Sequence, residues 1–537
     1  MKRTISVLAI FLLTTFLPAE EILTVAESSD YTKTSLYDDV MNFLYQVQRK
    51  SDRVRILPLA TSSEGRMVPL VVLSTDKVER PGDLATCGKP AVLIMANIHA
   101  GEVEGKEASL MLIRDIALGR FAGLLDTQVL LFIPVFNPDG NDKLGHNRRD
   151  LGPELAGVRF NGQNLDLNRD YMKLESTEVS ALVGLFNSWD PVLTVDMHTT
   201  NGSYHREPVT YSTQISPNCD KALSGYMWQK FFPFVARTLK TVYGYDSVPF
   251  GDFVEDEFPE KGWISDAVEA RYGQNYVGLR NRFSVLNENY SYADFKTRVL
   301  GCFSFLRAIL DYCEERREEI RGLVRDADER TVRAGNAPTA ADGFALEVEV
   351  KPLPEKITVR GYEMEIIPRE GTWPEIKKTD KEKTYVLPYF ADYVPKRTVR
   401  RPYAYLVAPA DPDVVAALRR HGLAVERLTA PARLDAEAFK ITALKAAARP
   451  YQGHWTSDIK GDYLPETRTF EPGTLVVRTG QPLGRLACYL LEPASDDGLF
   501  YWNAFDRYLV PQWGRGFETC PVFRLVESAA LETEPKN

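Results

Sequence analysis

Short apolar runs alternate with segments of helical periodicity between residues 91 and 320, and this pattern constrains the fold more than any other feature of the chain. The runs at 91–96, 129–135 and 192–195 lack the polar alternation of a strand with one solvated face. Continuous apolar runs of this length suit strands that are buried on both faces. We therefore predict an α/β fold, in which a mixed, largely parallel, twisted sheet is flanked by helices.

The length of the chain and a change in composition near residue 335 predict several domains. A chain of 537 residues exceeds the size of one compact domain. The main α/β domain is predicted over 24–334, followed by a linker and a β-rich segment over 335–400. Residues 401–537 are predicted to form a smaller accessory region, β-rich or α+β, with an Asp-Pro helix start at 411–412. Its role is left open between a binding module and a lid that narrows access.

The first nineteen residues have the composition of a signal peptide. Lys2 and Arg3 precede an apolar segment at 5–17, and the small residue Ala19 stands before two acidic residues. The thirteen residues of the apolar segment fall short of the roughly 20 that a helix needs to span a bilayer. We therefore expect residues 1–19 to be removed, the protein to be periplasmic or extracellular, and no membrane span to remain.

The charge of the chain argues against nucleic acid as a partner. The formal net charge is −9, and no dense run of Lys and Arg is present. Binding to a phosphate backbone needs clustered basic side chains. Hydrophobic residues make up 44% of the chain, which is enough apolar material for a sizeable core.

The few histidines of the chain include two that follow predicted strands. His99 stands three residues before Glu102, where an apolar run gives way to a helical segment, and His198 ends a second apolar run. Sites in open α/β sheets lie beyond the carboxyl ends of the strands. Two His and one Glu, with a position left open for water, are the ligands of several catalytic zinc sites. We predict one zinc ion per chain, with Asp196 as a candidate carboxylate behind His198.

A polar run between these ligands, at residues 159–170, carries the most specific signal. It reads Arg-Phe-Asn-Gly-Gln-Asn-Leu-Asp-Leu-Asn-Arg-Asp and resembles the zinc metallocarboxypeptidase family, the peptidases related to carboxypeptidase A. The resemblance extends from about residue 31 to residue 320 with the order of motifs intact. It implies the family's α/β fold and zinc site, and the C-terminal extension is similar to tails on some secreted bacterial members.

The resemblance also implies the residues that bind the substrate. Asn168 and Arg169 would bind the free carboxylate at the C-terminus of a peptide, and Arg159 would polarise the scissile carbonyl. A planar guanidinium suits the first task because it grips a carboxylate through two parallel hydrogen bonds. Arg148 and Arg149 are rival candidates for the role of Arg159.

Two further roles follow from the same resemblance. The family's general base is a Glu on a late strand that precedes the last helix of the catalytic domain, and Glu288 holds that place. The family's tyrosine that folds over bound substrate has two candidates, Tyr272 and Tyr276, of which Tyr276 is our choice. The residue that sets side-chain preference has no match.

These residues imply a zinc-dependent peptidase that hydrolyses the C-terminal amide bond of peptides, with zinc-bound water activated by Glu288. Two alternatives use the same ligand set: an amidase of cell-wall peptides and a zinc-dependent deacylase of N-acyl amino acids. A third is a binding protein without activity, against which the intact Glu288 argues. The Asn-Pro-Asp-Gly run at 137–140 and the Asp-Leu-Asn-Arg run at 166–169 favour the peptidase over the deacylase.

Overall fold

The computed structural model covers most of the chain. It describes residues 21–146, 151–265, 267–339, 341–369, 374–509 and 519–535. The predicted signal peptide and the rival arginines Arg148 and Arg149 lie outside the described residues. Among the helices in the described ranges, none has the length and apolar character needed to cross a membrane.

Helices are spread over the whole described chain, and most are short. In chain order, α1 to α13 are Val25–Ser28, Tyr37–Lys50, Pro81–Cys87, Glu104–Ala117, Pro138–Asp142, Thr177–Trp189, Lys221–Tyr226, Phe232–Tyr243, Gly273–Leu279, Phe295–Asn336, Pro412–Arg420, Gly484–Leu491 and Asp506–Leu509. Tight 3-10 turns form at Ala122–Asp126, Leu167–Arg169 and Pro259–Lys261, and a π turn forms at Met227–Phe231.

Strands before residue 300 belong mainly to one sheet, and the longest strands come after residue 340. In chain order, β1 to β21 are Val54–Thr61, Met67–Leu73, Ala91–Ala96, Val129–Ile133, Gly145–His146, Leu155–Ala156, Leu193–Thr200, Val209–Ser212, Ser247–Pro249, Asp252–Phe253, Trp263–Ile264, Phe283–Tyr290, Gly343–Ile367, Glu375–Arg400, Ala404–Val407, Glu426–Leu428, Ala432–Ala446, Ser457–Phe470, Leu475–Arg478, Thr519–Leu525 and Thr533–Pro535.

In the described residues the main sheet has eight strands in the order β1-β2-β4-β3-β7-β12-β8-β9. The central strands β4, β3, β7 and β12 run parallel. Antiparallel pairs join β1 to β2, β2 to β4 and β12 to β8, and the edge strand β9 is parallel to β8. Along β3, Val92 and Ile94 belong to the core on one face, and Leu93 and Met95 belong to the core on the other. Burial on both faces explains the unbroken apolar run, and the predicted mixed α/β sheet is confirmed.

Residues 335–400, predicted as a linker and a β-rich segment, form a long antiparallel hairpin. Helix α10 continues to Asn336, and the hairpin strands β13 and β14 then follow. They join β10 and β11 in a second sheet of order β10-β11-β14-β13. The hairpin therefore belongs with the main domain as much as with the chain that follows it.

The chain beyond residue 400 folds as a further layer on the main domain. Its strands form an antiparallel sheet in the order β18-β17-β20-β15-β19-β16-β21. Leu418 of α11 and Leu486 of α12 lie in the same hydrophobic core as Leu182 of α6 and Leu279 of α9. The accessory region thus shares a continuous core with the main domain.

The shared core makes a stability prediction. Leu418 is fully buried, so Leu418→Ala should lower the free energy of unfolding by about 2 to 5 kcal/mol, through lost burial and the cavity that remains. Unfolding should remain one transition when urea denaturation is followed by circular dichroism and tryptophan fluorescence. As a control, Leu464→Ala removes a half-exposed side chain of β18 and should change stability by less than about 0.5 kcal/mol. Equal effects of the two variants, or separate transitions, would contradict the shared core.

Candidate metal centre and substrate pocket

The loop between β3 and α4 carries His99 and Glu102 and places their side chains next to each other. Asn97 begins the loop with a φ of +65°, a left-handed conformation that Asn tolerates better than most residues. Its side-chain amide donates to the carbonyls of Ala100 and Glu102, at 3.1 and 3.3 Å, and so closes the loop. As a result His99 Nδ1 lies 3.1 Å from Glu102 Oε1.

Close packing of α4 on β7 brings His198 to this loop. A Cβ atom on Gly105 would lie 2.5 Å from the Cβ of Met197, so the helix approaches the strand at a distance that only glycine allows. His198, the next residue of β7, then places its Nδ1 2.9 Å from Glu102 Oε2 and 3.2 Å from His99 Nδ1. The structure therefore brings the three predicted ligands together.

The donor set fits a zinc ion. Ligand atoms of His99, Glu102 and His198 all lie within 4.8 Å of one another, and the three side chains are buried. On the far side of the rings, His99 Nε2 lies 3.1 Å from Asp166 Oδ1, and His198 Nε2 lies 3.0 Å from Asp196 Oδ2. A carboxylate behind each imidazole favours the Nε2–H tautomer, in which the Nδ1 lone pair is available to a metal.

The electrostatics of the cluster favour positive charge at its centre. Burial alone would lower the pKa of His198, but the carboxylates of Asp196 and Glu102 raise it well above its ordinary value. Burial would likewise raise the pKa of Glu102, but His99 and His198 hold it well below its usual range. A buried cluster that draws positive charge in this way is suited to a divalent cation.

The polar run at 159–170 lies beside the candidate metal ligands. Asp166 accepts a hydrogen bond from Arg159 Nε at 2.8 Å through one oxygen while its other oxygen faces His99. Arg159 Nη1 lies 3.8 Å from Glu102 Oε1. Burial would raise the pKa of Asp166, but the hydrogen bond with His99 and the nearby charges hold it well below its usual range. The contact between Asp166 and His99 was not foreseen, because the sequence gives no sign of which of its acidic residues faces the ring.

Asn168 and Arg169 are held by the start of α9. Asn168 Oδ1 accepts the backbone N–H of Gly273 at 3.0 Å, and Arg169 Nη1 donates to the carbonyl of Asn168 at 2.9 Å. The Arg169 guanidinium lies 4.2 Å from the centre of the Tyr272 ring, a cation–π contact. Tyr272 is thus the tyrosine beside the predicted carboxylate-binding pair.

Glu288 lies on β12, the strand next to β7, which carries His198. In the parallel pairing of β7 and β12, Glu288 stands directly opposite His198, and neighbouring strands are about 4.8 Å apart. A cavity of about 240 Å³ opens at this end of the sheet. Its lining includes seven residues that the sequence singled out: His99, Glu102, Arg159, Asn168, Arg169, Tyr272 and Glu288.

Tyr276, chosen from the sequence as a substrate-binding residue, does not line this cavity, and that assignment is corrected. It is 0% exposed, one turn further along α9, with its ring 5.5 Å from that of Tyr171. Its hydroxyl lies 2.8 Å from Nδ1 of His421 in the accessory region. The sequence could not show this contact, because the partner lies 145 residues away.

His421 is an uncharged link between the two parts of the chain. Its Nε2 lies 3.2 Å from the carbonyl oxygen of Met172, so Nε2–H donates there and Nδ1 accepts from the Tyr276 hydroxyl. Burial, with the charge of Arg280, lowers the pKa of His421 to about 3. The imidazole therefore stays neutral over the ordinary pH range.

Comparison with known proteins finds carboxypeptidases. Residues 40–224 match the family described as zinc carboxypeptidase. Carboxypeptidase 2 of Trichophyton rubrum is 23% identical over 489 residues, which cover 86% of this chain and 81% of the relative. Carboxypeptidase Z of Mus musculus is 31% identical over 134 residues, 24% of this chain and 20% of the relative. The solved structure of a metallo-carboxypeptidase from Burkholderia cenocepacia is 18% identical in sequence, with a TM-score of 0.39. The matched region covers 52% of this chain and 70% of the Burkholderia chain.

The cluster predicts how substitutions change zinc binding. His198→Ala removes a ligand and should abolish retention of zinc during dialysis. Asp196→Asn keeps the ligand but weakens its support, and should lower zinc affinity by roughly 10- to 100-fold. Zinc content by elemental mass spectrometry and affinity by competition with a chelator give the two readouts. His454→Gln, a histidine outside the cluster, is the control and should keep its zinc. The cluster would be the wrong site if His198→Ala bound zinc as wild type does.

The low pKa of His421 predicts a pH effect on stability. Its pKa is about 3 when folded and about 6.5 when unfolded, so the unfolded state binds more protons below pH 6.5. Stability from this group is therefore present above pH 6.5 and is lost as the pH falls, by about 2 kcal/mol at pH 5. Urea denaturation at pH 7 and pH 5 should show a smaller loss in His421→Gln than in wild type. Equal losses of stability in wild type and His421→Gln would refute the assignment of this pH effect to His421.

Proposed function

Since this chain belongs to the metallocarboxypeptidase family and is a zinc-dependent hydrolase, we propose that it removes single residues from the free C-terminus of peptides, with one zinc ion per chain. One observation carries the proposal. A single small cavity is lined by metal-ligand candidates, a carboxylate on the neighbouring strand, and an arginine fixed on an aromatic ring.

The carboxylate end of the substrate is assigned to Arg169 and Asn168. Stacking on Tyr272 restricts the Arg169 guanidinium, which favours a two-point hydrogen bond with a terminal carboxylate. The cavity of about 240 Å³ is smaller than the roughly 300 to 1,000 Å³ of pockets that hold drug-sized ligands. This size favours one terminal residue over an internal stretch of peptide.

The hydrolytic step is assigned to Glu288 and Arg159. A zinc ion held by His99, Glu102 and His198 would act as a Lewis acid, lowering the pKa of bound water and polarising the carbonyl of the substrate. Glu288, opposite His198 on the neighbouring strand, would accept the proton of the attacking water and deliver it to the leaving amine. Arg159, which lies between Asp166 and the cavity, would donate hydrogen bonds to the oxygen that becomes negative.

A peptide-trimming experiment tests this proposal. The zinc-loaded protein would be incubated with a mixed pool of peptides. Each peptide would be supplied in two forms, one with a free C-terminal carboxylate and one with a C-terminal amide, and the products would be followed by mass spectrometry. Wild type should release single residues from free C-termini only. Glu288→Gln should keep its zinc and trim about 10²- to 10⁴-fold more slowly, because it lacks a proton acceptor. Arg169→Met should raise KM by about 10²-fold, because it lacks the charged hydrogen-bond donor.

The matched control is Glu349→Gln, the same chemical change on an exposed position of β13, which should trim as wild type does. Wild type that binds zinc but leaves every peptide intact would refute the proposal. Release of amino acids from murein fragments alone would then favour the cell-wall amidase, and cleavage of N-acyl amino acids alone would favour the deacylase.

A further inference from the structure

The turn between β17 and β18 joins the accessory region to the chain on either side of Asn168 and Arg169. In this turn Gln452 Oε1 accepts the backbone N–H of Asp166 at 3.0 Å. His454 Nε2 lies 2.6 Å from Glu175 Oε1. The turn therefore contacts the main domain on the segment that carries Asn168 and Arg169.

A second contact of the accessory region is an ion pair buried between the two parts of the chain. Arg271 is 7% exposed and Asp497 is 0% exposed. Arg271 Nε lies 3.2 Å from Asp497 Oδ2, and Nη2 donates to the carbonyl of Asp496 at 3.0 Å. The backbone N–H of Arg271 also donates to Asp497, and Trp502 Nε1 donates to its other oxygen at 2.7 Å.

Aromatic rings of the accessory region enclose the same arginine. The Arg271 guanidinium lies 5.0 Å from the ring centre of Tyr501, 5.4 Å from that of Trp502 and 5.6 Å from that of Tyr451. Contacts from an aspartate, a backbone carbonyl and three rings leave Arg271 little freedom to move. Both its backbone and its side chain are fixed by residues beyond position 450.

The two residues after Arg271 hold the proposed carboxylate-binding pair. Tyr272 places its ring under the Arg169 guanidinium, and the N–H of Gly273 bonds to the Asn168 side chain. Space at Gly273 is restricted, because a Cβ atom there would lie 2.9 Å from the Tyr171 hydroxyl oxygen. A shift of the backbone at 271 would therefore move the supports of both Asn168 and Arg169.

We propose that Asp497 is a positioning residue for the carboxylate subsite: by holding Arg271 it fixes Tyr272 and Gly273, and through them Arg169 and Asn168. This inference rests on the proposed function, because it assumes that Arg169 and Asn168 receive the C-terminal carboxylate. It gives the accessory region a role in substrate binding that is separate from the metal and from proton transfer.

The test compares Asp497→Asn with a matched buried carboxylate. Glu492 is 1% exposed and bonds to the hydroxyls of Tyr405 and Tyr463 within the accessory region, so Glu492→Gln disturbs that region without touching Arg271. With the peptide that wild type trims fastest, Asp497→Asn should raise KM by about 10- to 100-fold, with zinc content and kcat within about twofold of wild type. Glu492→Gln should change KM by less than about twofold, even if it lowers the unfolding temperature as much as Asp497→Asn does.

A binding measurement separates positioning from a general loss of stability. In the Glu288→Gln background, calorimetry would compare the affinity of that peptide with that of its C-terminal amide. Asp497→Asn should weaken binding of the free acid and leave binding of the amide unchanged, because only the acid uses Arg169. Arg271→Lys, which keeps the charge but loses the planar fork, is a second variant and should give the same pattern if Asp497→Asn does not fold.

The outcomes distinguish this inference from the proposed function. An unchanged KM and an unchanged preference for the free acid in both Asp497→Asn and Arg271→Lys would overturn the positioning role and leave the peptidase standing. Equal KM changes in Asp497→Asn and Glu492→Gln would also overturn it. Failure of wild type to trim any peptide would refute the proposed function, and the positioning role with it.

Discussion

The site depends on the adjacency of three parallel strands whose carboxyl ends meet. β3 leads into the loop of His99 and Glu102, β7 carries His198, and β12 carries Glu288 opposite it. The separation of the strands sets the separation of these side chains, and the glycine at 105 lets α4 sit against β7. The backbone of the sheet, with its flanking helix, thus places the candidate metal ligands and the proposed base close together.

Sequence reasoning succeeded where the signal lies in local pattern. The apolar runs predicted strands covered on both faces, and the positions of His99 and His198 after two of these runs placed them at one edge of the sheet. It failed where the determining partner is distant. Tyr272 and Tyr276 lie in the same stretch of sequence, and the contacts that distinguish them, with Arg169 and with His421, come from distant parts of the chain. The hydrogen bond between His99 and Asp166 depends on the same kind of long-range packing.

Two segments from late in the chain contact parts of the main domain that are close in sequence to residues of the pocket lining. The hairpin β13–β14 contacts the loop after β7, where Gly361 bridges to His205 and the carbonyl of Arg360 accepts from the N–H of Arg206. The turn between β17 and β18 contacts the segment before α6 through Gln452. Because a shared core joins the accessory region to the main domain, the two are expected to move as one body.

The shared core also has a consequence for the order in which the protein is made. A ribosome delivers the chain from its N-terminus, so the apolar face of α6, at Thr177–Trp189, is synthesised more than 200 residues before its partner α11, at Pro412–Arg420. Until then α6 lacks part of its cover, and Arg271 lacks Asp497. The support of Arg271 therefore waits for the synthesis of Asp497, and a nascent or prematurely terminated chain carries the candidate metal ligands without that support.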